Sequence, residues 1–138
     1  MARLVVLDTN CLLQSLPARS IYHRVWTDFR SGRYRLCVSN EILNEYEEII
    51  GAHSAPHIAR NVVDAIVNSP HTIYKEPYYR FGFIKNDPDD NKFVDCAYAA
   101  EADYIVSDDA HFNTVPNIPF IKFRIVTLDD FLKELETE

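Results

Sequence analysis

The apolar run Leu4-Val5-Val6-Leu7 passes directly into Asp8-Thr9-Asn10, almost at the start of the chain. Consecutive apolar residues without alternation read as a strand buried on both faces, the habit of parallel sheets. Parallel strands need crossover connections, so the rest of the chain has to supply helices between its strands. A carboxylate at the strand's exit then stands at the C-terminal edge of the sheet, where open α/β folds hold their ligands. The pattern recurs late: Tyr104-Ile105-Val106-Ser107 runs into Asp108 and Asp109. Acids from two strand ends that meet on one edge repel each other unless a cation joins them.

The intervening sequence alternates as that arrangement demands. Cys11 to Leu16 reads as a short helix closed by Pro17, and Ser20 as the N-cap of a helix through Trp26 and Phe29 that ends near Gly32. Tyr34 to Val38 is a second strand. Ser39 caps a helix with Ile42, Leu43, Tyr46, Ile49 and Ile50 on its inner face, stopping at Gly51, and a further helix starts near Pro56. His71 to Tyr74 is a third strand, followed by an irregular aromatic stretch from Lys75 to Phe83. Asp87-Pro88-Asp89-Asp90 opens a helix to about Glu101, with Asp87 as N-cap and Pro88 at the first position. Strands at Tyr104–Ser107 and Phe123–Val126 follow, and Thr127 with Asp130 starts a final helix. The expected fold is α/β, a mainly parallel sheet of about five strands covered by helices on both faces.

Composition narrows the function classes. A chain of 138 residues suits one domain, here 1–138, with one hydrophobic core. Its three glycines place no Gly-rich turn after a strand, which excludes a P-loop and a dinucleotide fingerprint. Cys11, Cys37 and Cys96 are odd in number, widely spaced and without zinc-ligand spacing, which points to reduced thiols and a cytoplasmic setting. No apolar run is long enough to span a bilayer, so no membrane partner is expected. The net charge of −7 argues against a generic electrostatic grip on nucleic acid. Divalent cations bound by clustered carboxylates would reverse the local field. Arg19, Arg24, Arg30, Arg33 and Arg35 bunch in sequence, either as a solvated helix face or as a phosphate-contacting patch.

Helices of a parallel sheet run antiparallel to its strands and begin at the edge where the strands end. Asp8 at the first strand's exit, Glu45 in the second turn of the following helix, Asp90 and Asp95 early in the helix before the fourth strand, and Asp109 just past that strand all fall at this edge. Several carboxylates together offer the hard oxygen ligands of a Mg²⁺ or Mn²⁺ site. Asn10 and Ser107 are candidates for supporting roles, Asn10 toward a bound water or phosphate and Ser107 toward Asp8. Taken singly, each acid has an ordinary alternative as a helix-capping or solvated residue.

Four segments, in order, resemble the motifs of the PIN-domain family of metal-dependent ribonucleases. Val6-Leu7-Asp8-Thr9-Asn10 looks like the opening motif, and Ser39-Asn40-Glu41-Ile42-Leu43-Asn44-Glu45 like the segment that delivers a helical glutamate. Asp87-Pro88-Asp89-Asp90-Asn91-Lys92-Phe93-Val94-Asp95-Cys96-Ala97 resembles the third motif of the branch linked to toxin–antitoxin pairs. Ala102 to Phe112 looks like the fourth, in which a Ser or Thr precedes the acid by two residues, selecting Asp109 over Asp108. The resemblance implies a three-layer α/β/α fold, Mg²⁺ or Mn²⁺ dependence, hydrolysis of single-stranded RNA, a homodimer and an antitoxin protein as partner. It also implies that Asp8, Glu45, Asp95 and Asp109 are catalytic and hold metal with Asp90 assisting; Asp90 and Asp95 compete for the third motif's main role.

Two other functions fit the same residues. Asp8 could act as the nucleophile of an aspartate-based phosphatase or phosphotransferase, although Asn10 stands where such enzymes carry a second Asp. A non-catalytic PIN-like binding module is the third reading.

Overall fold

The computed structural model describes residues 2–137. Five parallel strands, β1 (Arg3–Leu7), β2 (Tyr34–Val38), β3 (Thr72–Tyr74), β4 (Tyr104–Val106) and β5 (Arg124–Val126), form one sheet in the order β3-β2-β1-β4-β5. Six α-helices connect or flank them: α1 (Thr9–Ser15), α2 (His23–Arg30), α3 (Asn40–His53), α4 (Pro56–Val67), α5 (Asn91–Ala99) and α6 (Leu128–Glu136). The expected α/β class with a five-stranded parallel sheet is what the chain adopts.

Adjacent residues of a strand point to opposite faces. Val5, Val6 and Leu7 of β1 and Leu36, Cys37 and Val38 of β2 are all buried, so both faces of the central strands are covered. Two wholly buried tyrosines keep their hydroxyls satisfied, as burial requires. Tyr34 Oη donates to the Val25 carbonyl at 2.6 Å and Tyr46 Oη to the Leu7 carbonyl at 2.6 Å. The second bond ties α3 to the exit of β1. All three cysteines are free and buried within the core.

Some local expectations shift. Asp8, not a residue further along, is the N-cap of α1. Ser20 does not cap α2: the helix starts at His23 after Tyr22 without a side-chain cap, and the Ser20 hydroxyl instead accepts the Tyr22 N–H at 3.0 Å in the preceding turn. Asp87 makes no capping bond either. Pro88–Asp90 form a three-ten turn, and the helix proper begins only at Asn91. A second three-ten segment, Ala110–Asn117, fills the stretch after β4, capped by the Asp109 side chain. Thr127 does cap α6, its hydroxyl accepting the Asp130 N–H at 3.1 Å.

The stretch from Lys75 to Asn86 has no regular structure; Lys75 still donates its N–H to the Val38 carbonyl at 2.9 Å, and beyond it side chains hold the backbone. Asn91 bonds both backbone groups of Ile84, at 2.8 and 2.9 Å, in the manner of a paired strand residue. Phe81 and Phe83 stack at 4.9 Å between centroids and meet Phe120.

Strand order reverses around β1: β2 and β3 extend the sheet one way, β4 and β5 the other. The crevice between the exits of β1 and β4 is therefore a topological switch point, where open α/β sheets place ligands. Among the described residues, no helix is long and apolar enough to cross a membrane.

Candidate metal centre

Asp8 leaves β1 with its backbone N–H still bonded to the Val106 carbonyl at 3.0 Å, extending the β1–β4 ladder by one residue and setting it beside Ser107. Its Oδ2 accepts the Ser107 hydroxyl at 2.7 Å and its Oδ1 the Asn10 N–H at 3.4 Å. The residue is only 7% exposed. Burial raises its pKa; the Ser107 and Asn10 bonds oppose that, while the charges of Glu45 and Asp109 add to it. The Ser107 oxygen in turn accepts the Asp109 N–H at 3.0 Å, so a single hydroxyl links the acids of two strand ends.

Asp109 is oriented by capping the three-ten segment, its Oδ1 accepting the His111 N–H at 2.9 Å. That places His111 Nδ1 at 3.3 Å from Asp109 Oδ1 and 3.7 Å from Asp90 Oδ2. Asp87, Asp90, Asp109 and His111 each present a ligand atom, all within 4.8 Å of one another. Asp108 turns away, its Oδ1 accepting the Leu128 N–H at 3.0 Å at the start of α6.

Asp90 is the least comfortable member of this group. It is 9% exposed, and its Oδ2 is buried without a hydrogen-bond partner, as is His111 Nδ1. Burial first, then sharing of a proton with Asp109, then the charges of Asp87, Asp109 and Asp8, push its pKa up to about 8. Asp109 moves the other way, held low chiefly by the His111 N–H. Two carboxylates this close cannot both ionise freely, so they titrate as a pair.

Glu45 borders this group from α3. Its Oε2 accepts the Thr9 hydroxyl and its Oε1 the Lys92 ammonium at 2.7 Å. Lys92 reaches it from the first turn of α5, also donating to the Asp89 carbonyl at 2.6 Å. Tyr46, the next residue along α3, fixes the height of Glu45 against β1 through its bond to Leu7.

Asp95 is placed elsewhere. Its Oδ1 accepts the Phe81 N–H at 3.1 Å, beneath the irregular aromatic stretch. Burial raises its pKa, while the Phe81 bond and Arg80 lower it and Glu41 raises it; none of the switch-point acids acts on it. Asn10 contributes its backbone N–H to Asp8, and its side chain is exposed. The structure thus brings together Asp8, Glu45, Asp90 and Asp109 of the expected residues and sets Asp95 apart. It adds Asp87, His111, Thr9 and Lys92. Within the arginine bunch, Arg24 and Arg33 are engaged by buried Asp28, at 3.1 and 3.9 Å, and Arg30 lies over Trp26.

The donor set fits a divalent cation. Carboxylate oxygens and one imidazole converge, and two of the buried atoms have no donor or acceptor to satisfy them, a cost that a cation removes. Without one, Asp90 and Asp109 have to share a proton.

A doubly covered parallel sheet with acids gathered at its switch point defines the class: an α/β protein with a cluster of acidic side chains on its sheet edge. The chain belongs to the PIN-domain family, whose model matches residues 4–111. Its fold is similar to that of a chain in the crystal structure of VapBC2 from Rickettsia felis bound to a DNA fragment from their promoter. The TM-score is 0.60 at 12% sequence identity, covering 90% of this chain and 98% of that one. A comparison with curated protein sequences gives no match.

Proposed function

We propose that this protein is a metal-dependent endoribonuclease that hydrolyses phosphodiester bonds of single-stranded RNA. The observation that carries this is the buried, partnerless Asp90 Oδ2 facing Asp109 and His111 at the switch point. Mg²⁺ or Mn²⁺ would be held by Asp90 and Asp109, with Asp87 and His111 beside them and Asp8 on the strand side. When bound, such an ion activates water for attack on phosphorus and offsets charge on the departing oxygen. The protein's part is positional. Ser107 aims Asp8 and Asp109 from one hydroxyl, the His111 N–H orients Asp109, and Thr9 with Lys92 holds Glu45 at the rim.

Membership of the PIN-domain family and the likeness to a VapBC2 chain support a wider reading. In it the chain acts in the cytoplasm as a single domain and a homodimer, as the toxin of a toxin–antitoxin pair with an antitoxin protein as partner.

The test is cleavage of labelled single-stranded RNAs of varied sequence with Mg²⁺, Mn²⁺ or a chelator. Wild-type protein is expected to cut only with metal, and Asp8→Asn and Asp90→Asn to lose roughly a hundredfold or more of the rate. Asp95→Asn distinguishes the two third-motif acids: its loss should be much smaller than that of Asp90→Asn. Absence of metal-dependent cleavage by wild type across all substrates would overturn the nuclease reading.

A further inference from the structure

Both oxygens of Glu45 are engaged, one of them by a full positive charge. Oε2 takes the Thr9 hydroxyl and Oε1 the Lys92 ammonium, and the Lys92 side chain is only 12% exposed. The same ammonium is anchored to the Asp89 carbonyl and lies 5.5 Å from the centroid of the Phe93 ring, which walls it from water. Lys92 is therefore a fixed charge and not a passing surface contact. The partnerless atoms lie elsewhere, on Asp90 and His111, within the group that also includes Asp87 and Asp109 and omits Glu45. The switch point is thus divided: on one side donors that lack a cation, on the other a carboxylate that already has one.

We propose that Lys92 is the second cation of this site: it occupies the Glu45 position permanently, so that the chain takes a single divalent ion, on the Asp90–Asp109 side. The inference rests on the metal-dependent reading above. Two divalent ions a few ångströms apart repel each other strongly, and the second needs carboxylate charge on its own side of the site as well as any bridging group. Here the Glu45 charge is already balanced by Lys92, and a second divalent ion would be repelled by that ammonium unless Lys92 moved away and lost its counter-charge. Lys92 is a positioning residue in this scheme. It acts through Glu45, and any cation of the same charge and reach should replace it.

The experiment is a Mn²⁺ titration of the full-length protein, with free Mn²⁺ followed by electron paramagnetic resonance and no RNA present. Wild type should bind one ion per chain. Lys92→Gln should bind two, the second being lost again in the Lys92→Gln/Glu45→Gln double variant, and Lys92→Arg should return the count to one. The wild-type count and the Lys92→Arg count stand even if Lys92→Gln fails to fold. Two ions in wild type or in Lys92→Arg, or a count of one in folded Lys92→Gln, would each overturn the proposal while leaving the nuclease reading intact. A wild type that binds no Mn²⁺ would overturn both.

Discussion

Single side chains at the switch point set the behaviour of the metal-free protein. Asp90, with its pKa pushed up to about 8 chiefly by burial, keeps a proton that an unfolded-chain aspartate loses near 3.8. Between those values the native state binds more protons than the unfolded state, so stability falls as pH rises through that window and levels off above it. Asp109, held low, acts only at the acid end, where its contribution is lost as pH falls. Thermal melts of chelator-treated protein should therefore show Tm declining from about pH 5 to about pH 8. Asp90→Asn should flatten that decline and raise Tm at the alkaline end. An equal slope in both proteins would show that Asp90 is not the group responsible. The strand-end acids were legible in the sequence because a charged residue directly after a buried run has few packing explanations. Asp95 was as visible as Asp90, since both lie in one acidic motif, but Asp90 sits in the three-ten turn before α5 while Asp95, within the helix, accepts the Phe81 N–H.

Secondary-structure elements owe their ends to local chemistry, and those ends place the site. The cap of α1 by Asp8, of α3 by Ser39 and of α6 by Thr127 each satisfies a backbone N–H with a side-chain oxygen. The turn after α2 depends on Gly32, which has φ +84° and would place a Cβ 2.5 Å from the His71 ring. Gly32→Ala should cost about 1–2 kcal/mol from the backbone alone, and more because the ring has to move. Gly82, with φ +66° but open space around it, should bear only the backbone part on substitution by Ala. Urea unfolding of the two variants checks the order; equal losses would remove the His71 contact as a cause. Helix and strand positions followed from apolar periodicity. The start of α5 did not: Asp87-Pro88 reads as a helix opening, yet the backbone takes a three-ten turn that brings Asp87 and Asp90 toward Asp109. Nor did Ser20 cap α2, because its hydroxyl serves the turn before the helix.

The whole molecule is organised around β1, which pairs on both sides and is buried on both faces. β3 and β5 have one neighbour each and exposed or half-buried residues, and beyond the Lys75 N–H bond to the Val38 carbonyl the stretch to Asn86 has no regular structure. Native-state hydrogen exchange should accordingly be slowest in β1, β2 and β4, faster in β3 and β5, and fastest in residues 75–86. Early exchange at Val6 or Leu7 would contradict this order. The sequence by itself determined the α/β class and the number of strands and their places along the chain, because burial on both strand faces and helical periodicity are written in neighbouring residues; their order in the sheet came from the structure. It also determined which edge holds the acids, since helix polarity in a parallel sheet follows from connectivity. Only the tertiary structure decided which acids meet, which one lacks a partner and which one Lys92 already neutralises. Those outcomes depend on directions and distances between residues as far apart as Asp90 and Asp109 or Glu45 and Lys92, which no local pattern encodes.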